Sequence, residues 1–216
     1  MTQQVATIML VDDHPLLRKG LQQLIGLADN LEVIAEAGSG EEAIALGTEL
    51  DPDLILLDLN MQGMNGQETL SRLRDEGVTS RIVMLTVSDA DEDVLEAISR
   101  GADGYLLKDM EPELLLEQIQ RALQGKMVMS EAVTQVLASA IRKPQKSPTS
   151  SLESLTGRER EIIELIAQGM SNKLIARALD ISDGTVKVHV KHLLKKLGLR
   201  SRVEAAVWMV NHRSAQ

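Results

Sequence analysis

The chain of 216 residues contains no cysteine and no phenylalanine, and only one tyrosine and one tryptophan. Without cysteine it has neither disulfides nor thiolate metal sites. Without phenylalanine its cores must be built from aliphatic side chains. No apolar run approaches the length of a membrane span, and the opening Met1-Thr2-Gln3-Gln4 lacks the charged and apolar regions of a leader. A soluble cytoplasmic protein without membrane contact is expected. With 44% hydrophobic residues the chain is globular, and its length allows one large domain or two small ones.

Positive charge is scarce where negative charge is dense. Residues 1–125 hold 24 acids against 8 bases, residues 126–150 carry a net +3, and residues 151–216 hold 7 acids against 11 bases. Lys187 to Arg202 contains six bases and no acid. An acidic front and a locally basic end imply different partners. A merely solvated basic helix is the plainer explanation of the latter.

Residues 1–125 alternate short aliphatic runs with amphipathic stretches. Strands are expected at 7–11, 33–37, 54–58, 82–86 and 104–107. Helix starts are signalled by Ser39-x-x-Glu42, Asn65-x-x-Glu68 and Pro112, and ends by Gly77 and Gly125. Five β–α units imply a doubly wound, five-stranded parallel sheet with helices on both faces. A further helix is expected at about 130–141. The segment 126–154 then becomes a linker, because Pro144, Pro148 and a serine cluster cannot build a core. From residue 155 onward only short helices are signalled. Thr156-x-x-Glu159, Ser171, Ser182 and Ser201-x-x-Glu204 mark four starts, and Gly169 and Gly198 mark ends. The second and third of these helices, about three residues apart, form a helix-turn-helix.

Polar residues terminate the strand-like runs: Asp12 and Asp13 after the first, Asp58 after the third, Lys108 after the fifth. In an open α/β sheet the carboxyl edge of the strands binds ligands where the strand order reverses. Three carboxylates gathered there repel one another unless a hard cation such as Mg²⁺ neutralises them. The alternative, that Asp12 and Asp58 only cap the following helices, explains neither the third carboxylate nor the lysine. His14, beside the cluster, is expected to be a loop residue.

Val11-Asp-Asp-His-Pro15, Leu56-Leu-Asp-Leu-Asn-Met61, Thr86 and Gly101-Ala-Asp-Gly-Tyr-Leu-Leu-Lys108 make the first 125 residues resemble the receiver domain of bacterial two-component response regulators. The resemblance implies a flavodoxin-like fold with Asp58 accepting a phosphoryl group from a sensor histidine kinase. It implies Mg²⁺ held by Asp13, Asp58 and the Asn60 carbonyl, with Asp12 acting through water. Lys108 and the Thr86 hydroxyl would hold phosphoryl oxygens, and Tyr105 would be the switch ring, an ordinary half-buried tyrosine being the alternative. Two departures stand out. Gln62 occupies a position where the family often has proline, which leaves that loop less constrained. Asp109 follows Lys108 where many receivers have proline, so a trans bond is expected. Asn60 and Ser88 flank the position where phosphoryl lifetime would be tuned.

In the third helix of the last segment, Val186, Val190, Leu193, Leu194 and Leu197 recur as a buried stripe. Lys187, Lys191 and Lys195 form an i, i+4 ladder on another face, with Val188 beside it. Lysines reach guanine O6 and N7, and a valine meets a thymine methyl, so this face suits a major groove of double-stranded DNA. Thr185, Lys196, Arg200 and Arg202 are expected at phosphates. Leu155-Thr-x-Arg-Glu159, Gly169-x-Ser-Asn-Lys-x-Ile-Ala176 and Thr185–Leu197 resemble the LuxR-type domain, residues 155–216, of the NarL/FixJ family. Within that family the likeness is to its nitrate/nitrite regulators, carried by Asp58–Met61, Tyr105–Asp109 and Arg202–Trp208.

The last helix presents Val203, Ala206, Val207 and Val210, either as core or as a homodimer contact on DNA, the latter being favoured. His189 and His192 lack a third ligand for a metal. RNA polymerase is a further partner consistent with the resemblance. The chain is not expected to be an enzyme beyond slow loss of its own phosphoryl group. A Mg²⁺-dependent phosphatase would need a second carboxylate where Asn60 stands, and a protein-interaction module without DNA binding is the other rival.

Overall fold

The computed structural model describes residues 5–87, 91–126, 128–129 and 152–214. The expected helix at 130–141, Ser88 and most of the linker lie outside them.

The receiver follows the order β1 (Ala6–Val11), α1 (Pro15–Ile25), β2 (Leu31–Ala37), α2 (Gly40–Leu50), β3 (Leu54–Leu57), α3 (Gly66–Asp75), β4 (Arg81–Thr86), α4 (Asp91–Ser99), β5 (Gly104–Leu107) and α5 (Pro112–Leu123). All strand pairs are parallel. The expected five strands are present, joined beside β5 by a two-residue β6 (Val128–Met129), too short to carry a periodic signal. The order is β2-β1-β3-β4-β5-β6, so the direction of winding reverses between β1 and β3.

Both faces of the sheet are covered. Met9, Val11, Ile55, Leu57, Met84 and Tyr105 pack on one side, and Ile8, Leu10, Leu56, Val83 and Leu106 on the other. This explains why the strands read as unbroken aliphatic runs rather than alternating ones. Helix starts follow the caps. Ser39 accepts from the Glu42 N–H and Asn65 from the Glu68 N–H. Glu42 returns its carboxylate to the Gly38 N–H, one residue before the reciprocal position of a capping box.

The C-terminal unit contains a 3₁₀ turn at Leu152–Ser154, α6 (Gly157–Ala167), α7 (Asn172–Leu179), α8 (Asp183–Leu197) and α9 (Arg202–Ser214). Thr156 and Glu159 complete a capping box at α6. Ser171 and Ser182 cap α7 and α8, and Gly198 ends α8 in the left-handed conformation (φ 68°). A separate core unites Ile162, Ile163, Ile166, Ile175, Val186, Val190, Leu193, Leu197, Ala205 and Met209. Of the expected α8 stripe, Leu194 alone is partly exposed. Each of the other four contributes about 1.5–3 kcal/mol of burial to holding α8 in place. The core residues of α9 are Ala205 and Met209, not Val207 and Val210, which are about half exposed.

Candidate functional site

The carboxyl edge of the sheet at the β1/β3 reversal gathers the expected acids. Asp12, Asp13, His14 and Asp58 each bring one ligand atom within 4.8 Å of the others. Asp12 follows β1, its N–H bonded to the Ala37 carbonyl. Asp58 follows β3, its N–H bonded to the Val11 carbonyl. Lys108 follows β5, with Nζ 2.6 Å from Asp12 Oδ2 and 2.9 Å from Asp58 Oδ2. Burial pushes the Asp58 carboxyl above its ordinary range. Lys108 opposes that and neighbouring Asp12 reinforces it.

The donor set fits a hard divalent cation. All the contributed atoms but one are carboxylate oxygens, and Asp13 Oδ1 and Asp58 Oδ2 are buried without a well-oriented hydrogen bond, although Lys108 and His14 lie at ion-pair distance. His14 is a loop residue as expected, and its ring lies against the cluster. Its Nδ1 lies 2.8 Å from Asp13 Oδ1, and Asp12 Oδ1 accepts from its N–H at 2.8 Å. The Gln62 N–H donates to Asp13 Oδ2 at 3.0 Å. The loop expected to be slack is therefore tied to the acidic cluster by a donor that proline would lack.

Thr86 ends β4 and is fully buried. Met84 pairs with Tyr105, and Thr86 shares the Met84 face by the two-residue period of a strand, so Thr86 and Tyr105 lie on one face of the sheet. Tyr105 is fully buried in the cluster that holds Val94, Ala97 and Met84, rather than half-buried. The described residues contain no cis peptide bond, so Lys108–Asp109 is trans as expected.

The second site is the basic face of α8, and here the structure redistributes several expected DNA contacts. Thr185, Val188 and Lys195 are exposed. Lys187 and Lys191 instead reach the receiver. Lys187 Nζ donates to the Asp51 carbonyl, and Lys191 Nζ donates to the Glu76 carbonyl at 2.9 Å. Lys196 is exposed, and its Nζ lies 2.7 Å from the buried Glu159 carboxylate. Arg202 is not a free phosphate contact, because it is buried and donates to Asn172 Oδ1 and the Met170 carbonyl. Arg200 remains exposed, although its Cβ lies beside Gly101 of the receiver.

Sequence reasoning missed the receiver residues that meet this face. Lys173 Nζ donates to Asp53 Oδ2 at 2.6 Å and to the Val5 carbonyl at 2.8 Å. Asp51, in the left-handed conformation at the end of α2, also accepts from the N–H and hydroxyl groups of Thr79 and Ser80. The approach is close enough that a Cβ on Gly77 would fall 2.2 Å from Lys191 Cε. A signal existed in Asp51-Pro52-Asp53, two acids bracketing a proline before β3, but only the fold shows that it faces α7 and α8. All these contacts lie at the amino edge of the strands, opposite Asp58.

A parallel sheet with an acid cluster and a lysine at its switch point, followed by a helix-turn-helix, defines a regulator with separate receiving and DNA-binding units. The chain matches the response regulator receiver domain over residues 8–120 and the bacterial regulatory proteins of the luxR family over residues 153–209, and it belongs to the two-component response regulators of that type. It is 57% identical over 211 residues to the nitrate/nitrite response regulator protein NarL of Escherichia coli K12, covering 98% of each chain. It is 51% identical to the nitrate/nitrite response regulator protein NarP of the same strain, covering 97% of this chain and 96% of that one. The crystal structure of the response regulator ChrA, from a heme-sensing two-component system, is 32% identical and superposes with a TM-score of 0.51 over 97% of this chain and 98% of the other.

Proposed function

We propose that this regulator couples phosphorylation of Asp58 by a sensor histidine kinase to dimeric, sequence-specific DNA binding in a nitrate/nitrite response, in the cytoplasm. The observation that carries the switch is the contact of Lys187 and Lys191 with the receiver. Two rungs of the DNA-reading ladder are engaged by the unphosphorylated chain's own acidic half. The nitrate/nitrite assignment rests on the 57% and 51% identity to NarL and NarP.

In the transfer step an Asp58 carboxylate oxygen bonds to phosphorus as the phosphohistidine N–P bond breaks. Asp13, Asp58 and the Asn60 carbonyl would hold Mg²⁺, with Asp12 bound through water, and the ion would supply charge neutralisation. The Lys108 ammonium follows the phosphoryl group from its place between Asp12 and Asp58, and the Thr86 hydroxyl turns toward a phosphoryl oxygen. That movement frees space on the face that Tyr105 shares, so the ring shifts and the sheet edge rearranges. Release of α8 then frees Lys187 and Lys191 to join the already exposed Val188 and Lys195 at the major groove, with Thr185 and Arg200 at phosphates. Val207 and Val210 are the exposed residues suited to pairing two copies, with Val203 and Ala206 behind them. Slow self-dephosphorylation closes the cycle.

The test is DNA affinity before and after a small-molecule phosphodonor with Mg²⁺, alongside Asp58→Asn. Phosphodonor-dependent binding that disappears in Asp58→Asn is expected. Equal binding with and without phosphodonor would refute the coupling.

A further inference from the structure

A cavity of about 50 Å³ lies between the two units, lined by Arg81, Ser80 and Asp53 from the receiver and by Asn172, Lys173 and Arg202 from the DNA-binding unit. The acids around it have cations of their own: Asp53 is paired with Lys173, Asp103 with Arg74, and Asp183 lies beside Lys187, although Asp103 Oδ1 and Asp183 Oδ1 accept no hydrogen bond. The Arg81 side chain, in a residue only 4% exposed, forms no hydrogen bond or ion pair among the described residues, and its Nε is buried without an acceptor. Arg202, similarly buried, spends its guanidinium on two neutral oxygens, Asn172 Oδ1 and the Met170 carbonyl. Burial and the nearby Arg81 and Arg74 push Arg202 down to about 9, so it remains charged at neutral pH.

Two buried guanidiniums line one cavity with no described carboxylate within ion-pair distance of either, although Asp103 and Asp183 lie near enough to act on them, and such a pair is costly unless an anion joins them. The start of α7 adds to the demand. The Asn172 and Lys173 N–H groups belong to its first turn, where backbone donors lack intrahelical acceptors.

We propose that this cavity is an oxyanion site that staples the DNA-binding unit to the receiver, bridging Arg81 and Arg202 with a small inorganic oxyanion. Its walls come from both units, so the anion binds only the closed arrangement and raises the threshold for release. By linkage, DNA or a phosphoryl group on Asp58 weakens the anion in the same proportion. At an anion concentration ten times its Kd, closure is favoured about elevenfold, which sets the ceiling on the loss of DNA affinity. The staple presupposes the closed form proposed above.

The experiment titrates the unphosphorylated full chain, without Mg²⁺, with inorganic phosphate, sulfate and nitrate in separate calorimetric runs. Chloride keeps the ionic strength constant, and DNA affinity is measured at each end point. One anion per chain and weakened DNA binding are expected, with the rank of the three identifying the source. Arg81→Gln should abolish the anion effect while keeping its phosphodonor response. Asn172→Asp, which places a carboxylate in the cavity, should close the chain without anion and remove the response to it. No binding of any of the three, binding undiminished in Arg81→Gln, or binding without change in DNA affinity would overturn the staple. Lys173→Ala separates the two ideas. If it raises DNA affinity of the unphosphorylated chain while the parent chain binds no anion, the closed form stands and the staple falls. If it leaves DNA affinity unchanged, closure itself is misread.

Discussion

Glu159 shows how much one side chain can carry when it is buried with its partners. It closes the α6 capping box through the Thr156 N–H and receives Lys196 from α8. Burial alone would raise its carboxyl, yet the donors from Lys196 and Thr156 together hold it below the ordinary range. A carboxyl lowered on folding contributes stability that is present above its unfolded value near 4.5 and is lost as pH falls through the folded value. Glu159→Gln should therefore destabilise the C-terminal unit by about 1–3 kcal/mol at neutral pH, because Lys196 and the Thr156 N–H lose a charged acceptor. The difference from the parent should shrink below about pH 4.5 in thermal melts of the full chain followed across pH. A pH-independent difference would assign the effect to packing. Lys196 was legible as a cation but not as this one's partner, since the pair spans 37 residues.

At the scale of elements, caps and termini were the most readable features, because each is a local exchange between a side chain and one or two backbone groups. The starts at Ser39, Asn65, Thr156, Ser171 and Ser182 all hold. What local pattern could not decide was which face of α8 and α9 meets what. In α8 the lysine ladder divides, Lys187 and Lys191 on the receiver and Lys195 facing away. Lys195→Ala should weaken DNA binding by about 1–3 kcal/mol if it reads a base. Lys191→Ala should lose a similar amount in the phosphorylated chain but less in the unphosphorylated one, where removing its tie to Glu76 also loosens closure. Competition binding with and without phosphodonor separates them, and identical losses in both states would argue against the division. In α9, Val207→Asp adds a charge to an exposed apolar position outside the core. It should leave the melting temperature within a few degrees of the parent and reduce dimer occupancy on paired half-sites, seen in band-shift titrations. A loss confined to single half-sites would contradict the dimer role.

Over the whole molecule, the two working sites sit at opposite ends of β3. Asp58 follows its last residue and Asp53 precedes its first, about 16 Å apart along an extended strand. On the coupling proposed above, a phosphoryl group on Asp58 would reach α8 through the sheet between the two ends of β3 rather than by contact. Among the described residues, the side-chain ties between the units through Lys173, Lys187 and Lys191 are polar. Lys173→Ala removes the 2.6 Å pair to Asp53 without touching the receiver core, and should raise DNA affinity of the unphosphorylated chain about three- to tenfold, measured by fluorescence anisotropy. Salt should act in both directions, weakening the latch and the lysine–phosphate contacts together.

The amino-acid sequence by itself determined which strands are buried on both faces, where helices begin and end, that acids and a lysine terminate the strands, and that a basic helix follows. Each of these is written in residues close along the chain. Tertiary structure alone decided that Lys108 meets Asp12 and Asp58 at 2.6 and 2.9 Å, since strand order is a property of packing rather than of any one segment. It likewise decided that Lys196 and Arg202 are tied up within their own unit and that Asp51 and Asp53 face α7 and α8. The physical reason is common to all of them. A cation's partner depends on which distant surface the fold brings to it, and charge alone does not distinguish a phosphate from a carboxylate or carbonyl of the same chain.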